Sequence, residues 1–357
     1  MDIKKEIQGT IIPLQHNREK VSEEEFFSIL RIVAPGTNLR LALDGTLKAE
    51  KGALIVVEND ALQVLMDGGF KINCRFTPQK LIELTKMDGA IILSSDLKRI
   101  TAANVLLTPS SKIKSAETGT RHKAAERTAK ETGCLVMAIS ERKHEINLFY
   151  KEIKHNLKST EEILRKANEQ IQLLEKHREM FDKAIEKLNL LELRNYLNLN
   201  HSIHVIQKGR LIQKIAKDLR KFIIELGNEG TLLKTRLREI TQGVEKETDL
   251  VIKDYTKLDL KKSKFLLESL SYDEILEQEN ILKILAYESN KTLDNIKGWR
   301  ILSKTSLQEQ EIAALIKNIG SLGKIIHSNI GSYSSLIGND KAPVFKEEIE
   351  RIKLSRY

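Results

Sequence analysis

Cysteine is nearly missing from this chain: Cys74 and Cys134 are the only two in 357 residues. They are too few and too far apart for a disulfide framework or a metal ribbon, and read as packing residues in a reducing compartment. Proline is scarce as well. Pro13, Pro35, Pro78, Pro109 and Pro343 leave the span between 109 and 343 without that helix breaker. Glycine is absent from 134 to 208. Aromatic residues make up 5% and charged residues 31%, a balance that disfavours a β-sandwich and suits long solvated helices. No apolar run approaches the ~20 residues of a membrane span, and no cationic segment followed by an apolar stretch opens the chain. The expectation is a soluble, cytoplasmic protein with no membrane partner. The formal charge of +9 favours a polyanionic partner, although basicity alone does not decide it.

The length predicts two or three domains. Up to about Tyr150 the pattern is mixed α/β: helices over about 23–33 and 39–48, a strand at Ala53-Leu-Ile-Val-Val57, and a turn at Gly68-Gly69. Thr77-Pro78 opens a helix to Lys86, strands follow near 90–94 and 103–107, and Gly133 caps a helix before the strand Leu135-Val-Met-Ala-Ile139. The fold class expected is an α/β nucleotide-binding domain over 1–150, a mixed sheet flanked by helices. An all-α spine over 151–285 and a small all-α helix-hairpin-helix domain over 286–357 would follow. In the spine, Ile153, Leu157, Leu164, Ala167, Ile171, Leu174, Phe181, Ile185 and Leu188 fit one seam of a single long helix, interrupted at Thr160 and Arg178. Further helices run over 209–226 and 232–257, with Gly227-Asn-Glu-Gly230 as the corner between them. In the tail, short helices are punctuated by Gly298, Gly320, Gly323, Gly331 and Gly338.

The chemistry concentrates in Glu117-Thr-Gly-Thr-Arg-His-Lys-Ala-Ala-Glu-Arg127, where a Gly/Thr loop runs into a helix whose first turn carries Arg121, His122 and Lys123. A helix start gathers unpaired N–H groups and a positive dipole end, so these side chains make a phosphate cradle. The plainer reading is a helix capped by Thr118 or Thr120 with solvated cations. First-turn cations oppose the dipole unless an anion is bound, which favours the cradle. Upstream, Asp88-Gly89 precedes the buried strand Ala90-Ile-Ile-Leu93. Alone it is an ordinary surface turn; beside the cradle its carboxylate suits a divalent cation or a hydroxyl proton. Glu126 and Arg127 read as structural. Arg142 and Lys143, after a strand, are either further phosphate contacts or a solvated charge cluster.

Asp88-Gly-Ala90 together with Thr118-Gly-Thr-Arg-His-x-x-Ala-Glu-Arg127 resembles the two signature motifs of diadenylate cyclase domains, which convert two ATP into cyclic di-AMP and pyrophosphate. Leu190-Leu-Glu-Leu193, the run from Glu225 to Leu233, Leu237-Arg-Glu-Ile240, Gly298-Trp-Arg-Ile-Leu302 and Ile319-Gly-Ser-Leu322 extend the likeness to the DNA integrity scanning branch of that family. The resemblance implies catalytic roles for Asp88, Arg121 and His122 and a Mg2+ or Mn2+ ion at Asp88 and His122. It implies ATP contacts from Asp88, Gly89, Leu107, Thr120, Arg121, His122, Lys123 and Ala124, with Leu107 against adenine and Gly89 letting the backbone approach the nucleotide. Two domains would meet face to face, a dimer at minimum within an octamer, and branched or junction DNA would regulate output in a DNA-damage and repair role.

Several positions depart from the family pattern. Ala124 stands where a hydroxyl residue is common, and Ser140-Glu-Arg-Lys143 replaces a more arginine-rich run. The Gly-hydrophobic-Gly turn of the hairpin appears as Leu336-Ile337-Gly338, with Asp340 and Pro343 close behind. Gly338, Asn339 and Lys341 are the expected DNA contacts there, through backbone phosphate. The rival reading is a DNA-binding scaffold that holds nucleotide without turnover.

Overall fold

A computed structural model describes residues 21–289 and 292–354; residues 1–20 of the expected N-terminal domain, with Pro13, lie outside the described residues. The chain divides into two compact units, one ending at Ser159 and one beginning at Thr160.

In the first unit, α1 (Glu23–Ile32) and α2 (Asn38–Lys48) start on Ser22 and Thr37, each accepting from the N–H three residues on. Then follow β1 (Ala53–Val57), a short 3-10 turn, β2 (Met66–Asp67), β3 (Phe70–Arg75), α3 (Pro78–Leu84), β4 (Ala90–Leu93), β5 (Arg99–Leu107), α4 (Thr120–Thr132), β6 (Leu135–Ser140), β7 (Glu145–Tyr150) and β8 (Ile153–Leu157). The strands form one mixed sheet in the order β2-β5-β4-β1-β6-β7-β8, with β3 also on β5; β1 and β4 are parallel and the other pairs antiparallel. Successive β1 side chains serve opposite faces. Ile55 joins the cluster of Ile29, Leu43 and Leu81 from α1–α3, whereas Leu54 and Val56 join that of Ala125 and Ala129 from α4. Cover on both faces explains why β1 and β4 read as unbroken apolar runs.

Two expectations are corrected here. Ile153 and Leu157 belong to β8, not to the long helix, because Lys151, at φ 49°, turns the chain back and Tyr150 pairs with Ile153. The helix from Pro78 ends at Leu84 rather than Lys86.

The second unit opens with α5 (Thr160–Leu193), followed by β9 (Leu197–Asn198) and α6 (Leu199–Leu226). The expected glycine-free helix is thus broken after Leu193, with Asn195 at positive φ in the connection. The Gly227–Gly230 corner leads into α7 (Thr231–Thr241) and α8 (Val244–Tyr255), which Gln242 and Gly243 separate where one helix was expected. Then come α9 (Leu260–Ser269), α10 (Tyr272–Leu276), α11 (Gln278–Ile284), β10 (Thr292–Leu293), α12 (Trp299–Leu302), α13 (Glu309–Ile319), α14 (Leu322–His327), α15 (Ile330–Ile337) and α16 (Lys341–Leu354). Gly323 and Gly331 lie inside α14 and α15 rather than between helices. A single apolar cluster runs from Ile163 to Ile349, so spine and tail share a core.

Candidate nucleotide site

Strand register decides which residues meet. Ala90 pairs with Leu54 and Val105, Ala53 with Ile139, and Ser140 with Glu145. The Asp88 turn, Gly52, the end of β5 at Leu107 and the turn after Ser140 therefore share one edge of the sheet. Helix α4 enters at that same edge, since it runs into β6 through the Gly133 cap and returns antiparallel to it. Residues 88 and 121–123, far apart in sequence, thus face one region.

The cap of α4 is Gly119, not Thr118 or Thr120, and no side chain accepts from its first turn. The backbone closes at Lys123 N–H to Gly119 C=O, 2.8 Å. The preceding N–H groups keep their donors for a ligand. Thr120 is exposed, and Arg121, His122, Lys123 and Ala124 are half-buried. The loop leading in is stapled to α4: Ser110 N–H to Glu131 at 2.8 Å, Arg127 Nε to Ile113 C=O at 3.0 Å, Lys130 to Lys114 C=O at 3.2 Å, and Ser115 Oγ and Ala116 N–H to Glu126 at 2.5 and 3.0 Å. Burial works to raise the Glu126 carboxyl, but Lys130, Ser115 and Ala116 outweigh it and hold it below its ordinary value.

His122 packs edge-on against Phe149, ring centroids 6.3 Å apart, with Nε2 3.5 Å from Asn147 Nδ2. Burial, opposed by Glu117 and reinforced by Lys154, Arg121 and Lys143, holds the imidazole below its ordinary value, so it is neutral at pH 7. Because the Asn147 Nδ2 can only donate, this contact favours the tautomer with its proton on Nδ1, toward Gly119. Glu117 is taken by Lys154 at 2.5 Å. Arg121 has no hydrogen bond or ion pair among the described residues; its guanidinium lies against Gly52.

Asp88 is exposed in the bend before β4. Gly89, at φ 87°, lies so close to β5 that a Cβ would sit 2.8 Å from the Asn104 carbonyl carbon and 2.9 Å from its Cα. The packing against the strand by itself requires a glycine here. That clamp, at the β4–β5 register shift, fixes where Asp88 projects. Leu107 is buried with Ala125 and Ala129, and Ala124 packs against the same cluster, so both support the cradle from beneath. No group of three or more His, Cys, Asp or Glu side chains able to hold a metal occurs among the described residues. One carboxylate fits a Mg2+ or Mn2+ ion that arrives on a nucleotide and keeps phosphate and water ligands.

Gly52, Asn147, Phe149 and Lys154 are absent from the sequence reading. Three of them come from β7 and β8, the first unrecognised and the second mistaken for helix; Gly52 carries no local signal beyond lying just before a strand.

In the far tail, Gly338, at φ 91°, closes α15, and Lys341 starts α16 with its ammonium 2.6 Å from Glu311. Asn339 and Asp340 are exposed between them.

The start of α4, without a side-chain cap and with Arg121, His122 and Lys123 on its first turn, suits a phosphate-bearing ligand, and with a carboxylate on the same sheet edge it fits a nucleotide-binding domain. Residues 40–153 match the family model "DisA bacterial checkpoint controller nucleotide-binding", and residues 157–293 match "DisA bacterial checkpoint controller linker region". The chain is 38% identical to the DNA integrity scanning protein DisA of Acetivibrio thermocellus over 346 residues, 94% of this chain and 96% of that protein. It is 39% identical to the DisA of Bacillus subtilis, with the same coverage, and 37% identical to that of Clostridium acetobutylicum, covering 93% of this chain and 95% of that protein. The chain belongs to the DisA family, and its N-terminal unit is a diadenylate cyclase domain. No helix among the described residues is long and apolar enough to cross a membrane.

Proposed function

We propose that the chain condenses two ATP molecules into cyclic di-AMP and two pyrophosphates at a face formed by two copies of the N-terminal unit. The observation that carries this is the start of α4: N–H donors without a side-chain cap, and Arg121 without an acceptor among the described residues, on the edge that also presents Asp88. In this reading Thr120, Arg121 and Lys123 hold the phosphates. Asp88 would hold the Mg2+ or Mn2+ that enters with ATP, and its carboxylate accepts the proton of the ribose 3′-hydroxyl, while neutral His122 donates Nδ1–H to a phosphate oxygen. The 3′-oxygen bonds to the α-phosphorus of the opposite ATP as the bond to pyrophosphate breaks in line. Repeating the step in the other direction closes the ring. Positioning and charge neutralisation supply most of the acceleration. One copy holds one ATP, so a dimer is the minimum, and the octamer suggested by the resemblance is its larger form.

The test is to incubate the full chain with ATP and Mn2+ or Mg2+, alongside Asp88→Asn. Cyclic di-AMP from the wild type alone is expected; none from the wild type favours the non-turnover scaffold instead. A strict monomer by light scattering contradicts the shared site.

The role in scanning DNA integrity is assigned to the tail, with Gly338, Asn339 and Lys341 at the backbone phosphate of branched or junction DNA. Lys341 must leave Glu311 to act there, and Asp340 opposes it. Lys341→Ala in the full chain should weaken junction-DNA binding and reduce its salt slope by about one. Truncating the tail is a poorer test, because it would strip the core shared with the spine.

A further inference from the structure

Gly52 lies between α2 and β1, outside both cyclase motifs. It does not adopt a positive φ, so its backbone admits any L side chain. What excludes a side chain is Arg121. A methyl group on Gly52 would overlap Arg121 Nη1 and lie 3.0 Å from Cζ and 3.4 Å from Nη2, and no other atom is as near. The guanidinium therefore meets Gly52 through its Nη1 end, in the space a side chain would fill. Packing there sets where the cation stands, because it has no hydrogen bond or ion pair among the described residues.

We propose that Gly52 is a positioning residue for the cyclase reaction: its missing side chain is the seat that aims the Arg121 guanidinium at the phosphates. The proposal rests on Arg121 being a phosphate ligand, as in the function proposed above. The seat has a particular energetic signature. Its clashing partner is the free end of a flexible side chain, so Gly52→Ala is relieved by swinging Arg121 away, and the backbone of β1 need not move. The fold is spared and the aim is lost. A structural glycine would behave in the opposite way, because filling it would strain backbone and lower stability.

The experiment is a double-mutant cycle on the full chain with Gly52→Ala, Arg121→Ala and the combination, reading kcat and KM for ATP, cyclic di-AMP yield and Tm. Gly52→Ala is expected to lower kcat/KM by about 10- to 100-fold, in line with the cost of an ångström-scale misplacement, with Tm unchanged. In the Arg121→Ala background the same change should cost less than about threefold, since a residue acting only through another has nothing left to misplace. The Arg121 Nε–H signal in 15N NMR, assigned by its loss in Arg121→Lys, should shift or broaden in Gly52→Ala. The proposal is overturned by wild-type kcat/KM in Gly52→Ala, by an equal loss in both backgrounds, by a lowered Tm that accounts for the loss, or by an unmoved Nε–H signal. If instead Arg121→Ala is fully active, the phosphate role of Arg121 fails first and the proposal falls with it. That outcome is distinct from a defective Arg121→Ala beside an unaffected Gly52→Ala, which sinks the seat alone.

Discussion

The two units use charge in opposite ways. At the sheet edge of the N-terminal unit, Arg121 is half-buried and without an acceptor among the described residues, and Asp88 is exposed. In the helical unit, Arg300 and Glu192 are sealed, at 0% and 2% exposure, and paired with each other, while Arg300 Nε has no hydrogen-bond partner among the described residues. Arg300 also donates to Asn189 at 2.5 Å, and Tyr255 donates to Glu192 at 3.0 Å. Asp254, also buried, accepts from Gly298, Trp299 and Arg300 N–H at 2.9, 2.7 and 2.9 Å and so caps α12 from α8. A charge with no partner among the described residues is open to a ligand; a charge sealed against an opposite one fastens one helix to another. Both regions are rich in Arg and carboxylate, so residue type does not separate these roles. Burial and partner count do.

The contrast makes opposite demands on two arginines. Arg300→Met leaves Glu192 buried without its partner and should cost about 3–5 kcal/mol, seen as a lowered urea midpoint by circular dichroism, while cyclic di-AMP formation per folded N-terminal unit is retained. Arg121→Ala should do the reverse: a loss of about 10²–10³ in kcat/KM with the urea midpoint unmoved. If the two phenotypes coincide, the distinction fails.

A smaller effect follows from pH. Burial, with the charge of Glu192, outweighs the three N–H groups and pushes Asp254 up to about 7 from an ordinary 3.8. Its folded pKa exceeds its unfolded one, so its contribution is fully present below 3.8 and is lost as pH rises through about 7. Amide exchange at Gly298–Arg300, corrected for intrinsic rate, should therefore quicken from pH 6 to pH 8, and Asp254→Asn should flatten that slope. His122 has the other sign: the contribution of its neutral form is present above its ordinary 6.5 and declines as pH falls. Raising pH should loosen α12 without loosening the cradle.

The smallest effect expected is at Glu126, whose carboxylate belongs to the first unit yet behaves like those of the second. Glu126→Gln weakens the bonds to Ser115 and Lys130 and should cost about 1–3 kcal/mol locally. Exchange protection at Ala116 should fall, with little change in global melting.

Much of the cradle was legible because it is contiguous. A glycine, hydroxyls and cations at one helix start need only local geometry to act together, and the Asp88 turn announces itself by its dipeptide. The seam of Ala167, Ile171, Leu174, Phe181 and Leu188 was equally readable, since helical periodicity is a property of neighbours. Ile153 and Leu157 fitted that seam by spacing alone, and only pairing with β7 makes them a strand. Gly89 shows the same limit: the sequence marked a special glycine, but its reason, the backbone of Asn104, lies across the sheet.

The order of amino acids by itself therefore determined a cationic helix start, a carboxylate turn, an apolar strand repertoire and a long helical region, all consequences of interactions within a few residues. Tertiary structure alone decided that Asp88 and Arg121 share an edge, that Arg121 meets Gly52, that Asn147 favours one His122 tautomer, and that Arg300 is paired with Glu192. Those facts depend on strand register and helix packing between distant segments, which no local propensity encodes.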